Sequence, residues 1–393
     1  MRKLDLLVLA VALFAGNTLS AQSWVIGPFV RPSEAPVIEP NKFYYFTDPL
    51  TQEKTFWDAG HSYGPAATIA PSGDVAVVFR AQGIEDHTSR LGLATSKDGL
   101  FFTIAGAPVL YPQNDDQKSN EFPGGVEDPR IVVGPDGTYV MTYTQRAKDR
   151  GEYTVGIATS KNLGEWIKLG PAFGKSVNAK FDTLHYKSAG ILTELHNGRL
   201  QAVRLHGKYW MYWGQGQMHL ATSPDLIHWT PVMDAAGRPQ VVMSGRAGHF
   251  DSGFPEVGPP PVLTKKGIVL IYNGKNSAAG QPNTISSLPA DSSASGDAAG
   301  EKPKPASDQF AADPNIRAGA YSVGEALFSS ADPAKLIDRT EHPILTPVWP
   351  YERNGQYPAG ATFAEGLVPY KGQWLLYYGA ADSVIGAAST EIR

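Results

Sequence analysis

Residues 207–229 read Gly-Lys-Tyr-Trp-Met-Tyr-Trp-Gly-Gln-Gly-Gln-Met-His-Leu-Ala-Thr-Ser-Pro-Asp-Leu-Ile-His-Trp, and this stretch shows the unit from which the chain is built. A turn signal, His206-Gly207-Lys208, precedes an apolar-aromatic run, Tyr209–Trp213, and the phrase Ala221-Thr222-Ser223 follows. The phrase recurs upstream as Ala94-Thr95-Ser96 and Ala158-Thr159-Ser160, at spacings of 64 and 63 residues. A weaker copy, Ala326-Leu327-Phe328-Ser329, stands 105 residues further on, and a last one, Ala387-Ala388-Ser389, 61 after that. The long gap contains residues 277–316, a stretch of 40 rich in Ser, Ala, Pro, Gly and Asp, which reads as a flexible insertion. Without it the spacing returns to 65.

The aromatic run is repeated too: Val75–Phe79, Tyr139–Tyr143, Tyr209–Trp213, Ile268–Tyr272 and Trp374–Tyr378 each follow a turn such as Pro135-Asp136-Gly137. Short apolar runs bounded by turns at this density are strands. The period has room for four strands of ordinary length with their loops. Five in-phase copies predict an all-β chain, a five-bladed β-propeller with the insertion between strands of the fourth blade. A pair of β-sandwiches is the alternative, and in-phase copies are hard to reconcile with it.

Composition bounds the function. With 42% hydrophobic and 18% charged residues, the 393-residue chain can bury a large core, which excludes wholesale disorder. A net charge of −4 argues against a nucleic-acid partner. The absence of cysteine excludes a disulfide framework, a thiolate zinc site and a cysteine nucleophile. The nine histidines show no metal-ligand spacing, so neither metal nor cofactor is expected. Arg2 and Lys3, the apolar run Leu6–Ala15 and the small-residue end Thr18-Leu19-Ser20-Ala21 read as a secretory signal peptide over residues 1–21. The expected product is one catalytic domain, residues 22–393, periplasmic or secreted, with no membrane span after signal removal.

In a propeller the inner strand of each blade lines the axis, and the loops leading into these strands converge on one funnel. Those loops read His61-Ser62-Tyr63, Glu127-Asp128-Pro129-Arg130, Tyr186-Lys187-Ser188, Pro255-Glu256-Val257-Gly258 and Ala364-Glu365-Gly366. Carboxylates that grip hydroxyl pairs, a lysine and aromatic faces suit a polyhydroxylated ligand.

Several of these phrases are similar to those of a known family. Gly124-Gly125-Val126-Glu127-Asp128-Pro129-Arg130 resembles the Glu-Asp-Pro-Arg signature of glycoside hydrolase family 130. The run from Phe250 through Asp251-Ser252-Gly253-Phe254-Pro255-Glu256-Val257 to Pro260 resembles its fourth-blade signature, and residues 207–229 fit as well. The resemblance implies a five-bladed propeller acting on β-mannosides with inversion, either as a phosphorylase or as a hydrolase resembling exported β-1,2-mannosidases. It also implies that Glu256, which the phosphorylase pattern lacks, marks the hydrolase side. The reading that follows is an inverting, exo-acting hydrolase that releases mannose from a mannose-containing oligosaccharide. A phosphorylase producing mannose 1-phosphate and a non-catalytic sugar-binding propeller remain the alternatives.

Inverting hydrolysis needs an acid and a base on opposite sides of the bond. Glu256, in a loop stiffened by Pro259, Pro260 and Pro261, is one candidate. Glu325 is the other: it occupies a slot filled by Leu93, Ile157 and Leu220 in other repeats, where an unused carboxylate would be costly. The resemblance implies the same role for it, and which of the two is acid stays open. Asp128 is expected to grip sugar hydroxyls, Tyr63 to stack on the sugar ring, and Asn273 and Glu365 to contact substrate. Arg80, Arg90 and Lys187 either donate to hydroxyls or pair with the funnel carboxylates. Ser96-Lys97-Asp98-Gly99 reads as a structural hairpin.

Overall fold

The computed structural model describes residues 22–147, 152–174, 186–278 and 311–393. The expected signal peptide and most of the expected insertion lie outside them. The described chain is almost entirely β, and among the described residues no helix is long and apolar enough to cross a membrane.

Five antiparallel meanders follow one another. The first runs through His61–Ile69, Val75–Gln82, Arg90–Ser96 and Thr103–Ile104. The second runs through Gly125–Val133, Tyr139–Ala147, Glu152–Ser160 and Ile167–Pro171. Ala189–Ile191, Tyr209–Trp213, Met218–Ser223 and Thr230–Pro231 make the third. Phe254–Val257, Gly267–Lys275, Tyr321–Phe328 and Leu336–Arg339 make the fourth. The fifth has Thr362–Tyr370, Gln373–Ala380 and Val384–Glu391, and its last strand is bridged at Ser389 and Ile385 by Val30 and Ile38 of the N-terminal segment.

In the first four meanders the Ala-Thr-Ser-type phrase closes the third strand, and its serine does the same work in each. The hydroxyls of Ser96, Ser160, Ser223 and Ser329 accept the backbone N–H of Gly99, Leu163, Leu226 and Asp332. The repeat is therefore a turn cap that starts the fourth strand.

Burial follows the alternation of the strands. Five core clusters form, and each joins two meanders: first to second, second to third, third to fourth, fourth to fifth, and fifth back to first. The hydrogen-bonded sheets are less tidy than five separate blades. A hairpin, Thr193–His196 with Arg199–Ala202, pairs in parallel with Val262–Thr264 on one side and with Val133 on the other. This links the second and fourth meanders into one eleven-stranded sheet, and among the described residues no sheet closes on itself.

The expected insertion does not begin at residue 277 as a free loop. The Asn276 side chain donates to the carbonyls of Asp313 and Ile316 and accepts the Asp313 N–H. The two ends are thus stitched together beside the end of Gly267–Lys275, and residues 279–310 lie outside the described part.

Candidate active site

Three inner strands are bulged at the same end. The register shifts between Tyr63 and Pro65, between Glu127 and Arg130, and between Ala364 and Gly366. A bulge leaves a residue unpaired and re-aims its neighbours. Four non-glycine residues in this region have left-handed backbones: Asp128 (φ 47°), Ser188 (φ 60°), Ala381 (φ 46°) and Asp382 (φ 52°). Such conformations cost ~1–3 kcal/mol each and persist where surrounding structure imposes them. Gly64 (φ 57°) meets the same demand without a side chain. A Cβ there would lie 2.9 Å from Oε2 of Glu365 and 3.3 Å from Oδ1 of Asp128, so glycine allows two acid-bearing strands to approach.

The bulges gather a charged cluster. Lys187 bridges two acids: its Nζ is 3.2 Å from Oε1 of Glu256 and 3.5 Å from Oδ2 of Asp128. Ser188 donates to Glu256 Oε1 at 2.5 Å and Gln215 to Oε2 at 3.0 Å. Glu256 thus accepts three donors and, with about four lone-pair sites on a carboxylate, keeps one for another. Arg80 reaches Glu127 at 2.7 Å and Asp128 at 3.2 Å, and Arg146 adds a second contact to Glu127 at 3.0 Å. Arg130 stands 2.8 Å from Glu365 in an ion pair without hydrogen-bond geometry. Its other N–H groups donate to the carbonyls of Asp128, Val257 and Gly258, tying second and fourth meanders together.

These surroundings push the carboxyls apart. Burial acts to raise Asp128, but Lys187, Arg80 and Arg130 outweigh it and hold the group down at about 2. Glu365 is fully buried, and burial lifts it well above the usual range despite Arg130. Asp382 is raised to about 6, chiefly by burial, with Asp128 and Glu256 adding like charge against Arg80 and Lys187. The site therefore holds an ionised acid and a protonatable one side by side, the pattern that assigns acid and base roles.

Glu256, Asp128, Lys187, Arg80 and Glu365 thus meet, and four other expected residues take different roles. Glu325 is buried, and its two oxygens accept the backbone N–H of Ile26 and Gly27 at 2.8 and 3.1 Å. The strand Gly267–Lys275 separates it from Glu256: Asn273 pairs with Glu256 on one side and Val323 on the other, and Glu325 lies two residues further along. In this structure the expected second catalytic glutamate holds the N-terminal segment through both carboxylate oxygens. Glu325→Gln would turn an amide N–H toward a backbone donor. We expect a loss of ~1–3 kcal/mol in unfolding free energy, read by denaturant titration, with kcat unchanged below the transition.

Arg90 is corrected in the same way. It pairs with Asp48 at 2.6 Å and Asp86 at 2.7 Å on the other face of its sheet. The Asn273 amide is consumed by Ala364, donating to its carbonyl and accepting its N–H, so it aligns the Glu365 bulge instead of touching substrate. Tyr63 donates to Gln82, and the Arg80 guanidinium covers its ring at 4.6 Å, so that face is not open to a sugar. Glu127 pairs with Arg80 and Arg146.

Asp382 and Gln215 went unnoticed in the sequence. A signal existed: each aromatic strand runs antiparallel to the inner strand, so the hairpin after it returns to the funnel end. Gln215 and Asp382 sit in two of those hairpins, and Lys275 ends a third such strand. Among the described residues, no group of three or more His, Asp or Glu is placed to hold a metal ion.

Comparison with known proteins now adds to this geometry. The family model described as beta-1,4-mannooligosaccharide phosphorylase, that of glycoside hydrolase family 130, matches residues 33–283 and 314–393. The chain is 30% identical to a 1,2-beta-oligomannan phosphorylase of Thermoanaerobacter sp. (strain X514), covering 86% of this chain and 92% of that one. A beta-1,2-mannobiose phosphorylase of Listeria innocua is 24% identical over 77% of this chain and 67% of its own. Among solved structures, one described as "The GH130 family of mannoside phosphorylases contains glycoside hydrolases that target beta-1,2 mannosidic linkages in Candida mannan" is 42% identical. It covers 94% of this chain and 95% of its own, with a TM-score of 0.83. A putative glycoside hydrolase of Parabacteroides distasonis is 40% identical over 94% of this chain and 98% of its own, also at 0.83.

Proposed function

The chain belongs to glycoside hydrolase family 130, and on that premise we propose that it hydrolyses β-1,2-linked mannosides, releasing mannose from the non-reducing end with inversion. The supporting observation is the state of its cations. Arg80, Lys187, Arg130 and Arg146 are each engaged by a carboxylate. A phosphate would have to compete for every one of them, whereas a sugar and a water need only hydrogen bonds. The cyclic order of the core clusters supports a five-bladed propeller, and the leader-like residues 1–21 support export to the periplasm or medium.

In this reading Glu256 is the base. Ser188, Gln215 and Lys187 fix its carboxylate, and the remaining acceptor site takes a proton from the attacking water. Asp382, only partly buried and raised to about 6, is the acid that protonates the leaving oxygen. Asp128, held ionised between Lys187 and Arg80, grips two hydroxyls of the terminal mannose. Glu365, its carboxyl lifted by burial, supports the cluster from the neighbouring strand beside Arg130. Because the acid works in its protonated form, kcat/KM should fall as pH rises through about 6, a limb read from a pH–rate profile.

Phosphorolysis is the second reading. The named curated relatives are phosphorylases, and they favour it. Lys275, which lies over the rings of Phe254 and Tyr321 and whose pKa burial lowers, has no carboxylate contact among the described residues. Mannose release from β-1,2-mannobiose, measured with and without phosphate, separates the readings. Equal release of free mannose in both supports hydrolysis; mannose 1-phosphate formed only with phosphate overturns it.

A further inference from the structure

Arg80 and Arg90 stand on neighbouring strands, but Arg80 pairs in register with Leu91 and Arg90 with Ala81. Side chains alternate along a strand, so the two guanidiniums leave opposite faces of the first meander. Arg80 serves the acid cluster. Arg90 lines a separate cavity of about 680 Å³ between that meander and the short hairpin Phe46–Thr47 with Lys54–Thr55.

The hairpin is fastened by charge. Asp48 caps its own turn by accepting the N–H of Leu50 and Thr51 and pairs with Arg90, while Thr55 donates to Asp86. Arg90 is 2% exposed, yet its Nε donor is buried without a partner. A buried donor left unmade costs ~1–3 kcal/mol, and the side chain that carries it lines the cavity. Phe56, 52% exposed, and Ile84, 62% exposed, line the same cavity, so it also presents apolar faces. The rim charges are mixed, Lys42 and Lys54 against Glu53 and Glu85, so neither an anion nor a cation is favoured. A neutral chain with alternating hydroxyls and C–H faces fits all three features.

We propose that this cavity is a second carbohydrate site, holding a neutral oligosaccharide segment of the substrate away from the bond that is cleaved. The proposal rests on the mannoside reading above. It gives Arg90, Phe56 and the hairpin a role in chain-length preference, and none in chemistry.

The test uses Phe56→Ala and Ile84→Ser, both at exposed positions. Each is compared with the unchanged protein on β-1,2-mannobiose and on a long β-1,2-oligomannoside. We expect kcat/KM on mannobiose to hold and KM on the long substrate to rise about tenfold, equivalent to ~1.4 kcal/mol of binding. Calorimetric titration of the long oligomannoside into Glu256→Gln should show two binding events, with one lost on adding Phe56→Ala. Unchanged long-chain KM in both variants, or an equal fall on both substrates, overturns the proposal. If the unchanged protein cleaves no mannoside but still shows the Phe56-dependent binding event, the functional reading fails and the second site stands.

Discussion

Glu256→Gln should lower kcat on β-1,2-mannobiose by about 10³-fold, within the range that general acid–base groups supply. The factor corresponds to ~4 kcal/mol of transition-state stabilisation. The carboxamide is the same size, so Ser188 and Gln215 can still hold it, and the fold should survive. What disappears is an oxygen able to take a proton from water. KM should change far less than kcat, because Asp128 and its cations still hold the terminal sugar. Full activity in the variant would remove Glu256 from the reaction. Loss of phosphate-free turnover alone, with phosphorolysis intact, would show that Glu256 serves water and nothing else.

Asp382→Asn should cost about 10²–10⁴ in kcat on mannobiose, for the complementary reason. Asparagine keeps the shape and has no proton to give at working pH. A mannoside with an activated aryl leaving group needs little protonation, so the same variant should lose much less on it. The alkaline limb near pH 6 should vanish with the carboxyl that produces it. An equal loss on both substrates, or a limb that stays in place, would transfer the acid role to Glu365. The environments make this contrast possible: burial raises Asp382, while three cations hold Asp128 near 2.

Glu325 shows how a sequence reading can locate a costly residue without seeing the partners that hold it. A carboxylate in an otherwise aliphatic slot does need a reason to be there. The reason here is a pair of backbone N–H groups from residues 26 and 27, almost 300 positions away in the chain. Arg90 and Asn273 mislead in the same manner. Each is polar, buried and near the right loop, and each is spent on holding backbone or another charge in place. Asp382 misleads in the other direction: it sits in a hairpin that reads as an ordinary turn, and it is the packing around it that lifts its carboxyl, chiefly by burial.

The repeat, the five aromatic strands, the serine-capped turns and the loops carrying Asp128, Lys187, Glu256 and Glu365 were determined by local sequence. Turn chemistry and alternation act over a few residues, so a single chain displays them. Which acids share a cation, which strands bulge and which charges face away from the funnel were decided by tertiary structure. A strand puts neighbouring side chains on opposite faces, and an ion pair forms between residues tens or hundreds of positions apart. Arg80 and Arg90 differ in nothing that composition or spacing records, yet the pleat sends one to the candidate active site and the other to a separate cavity.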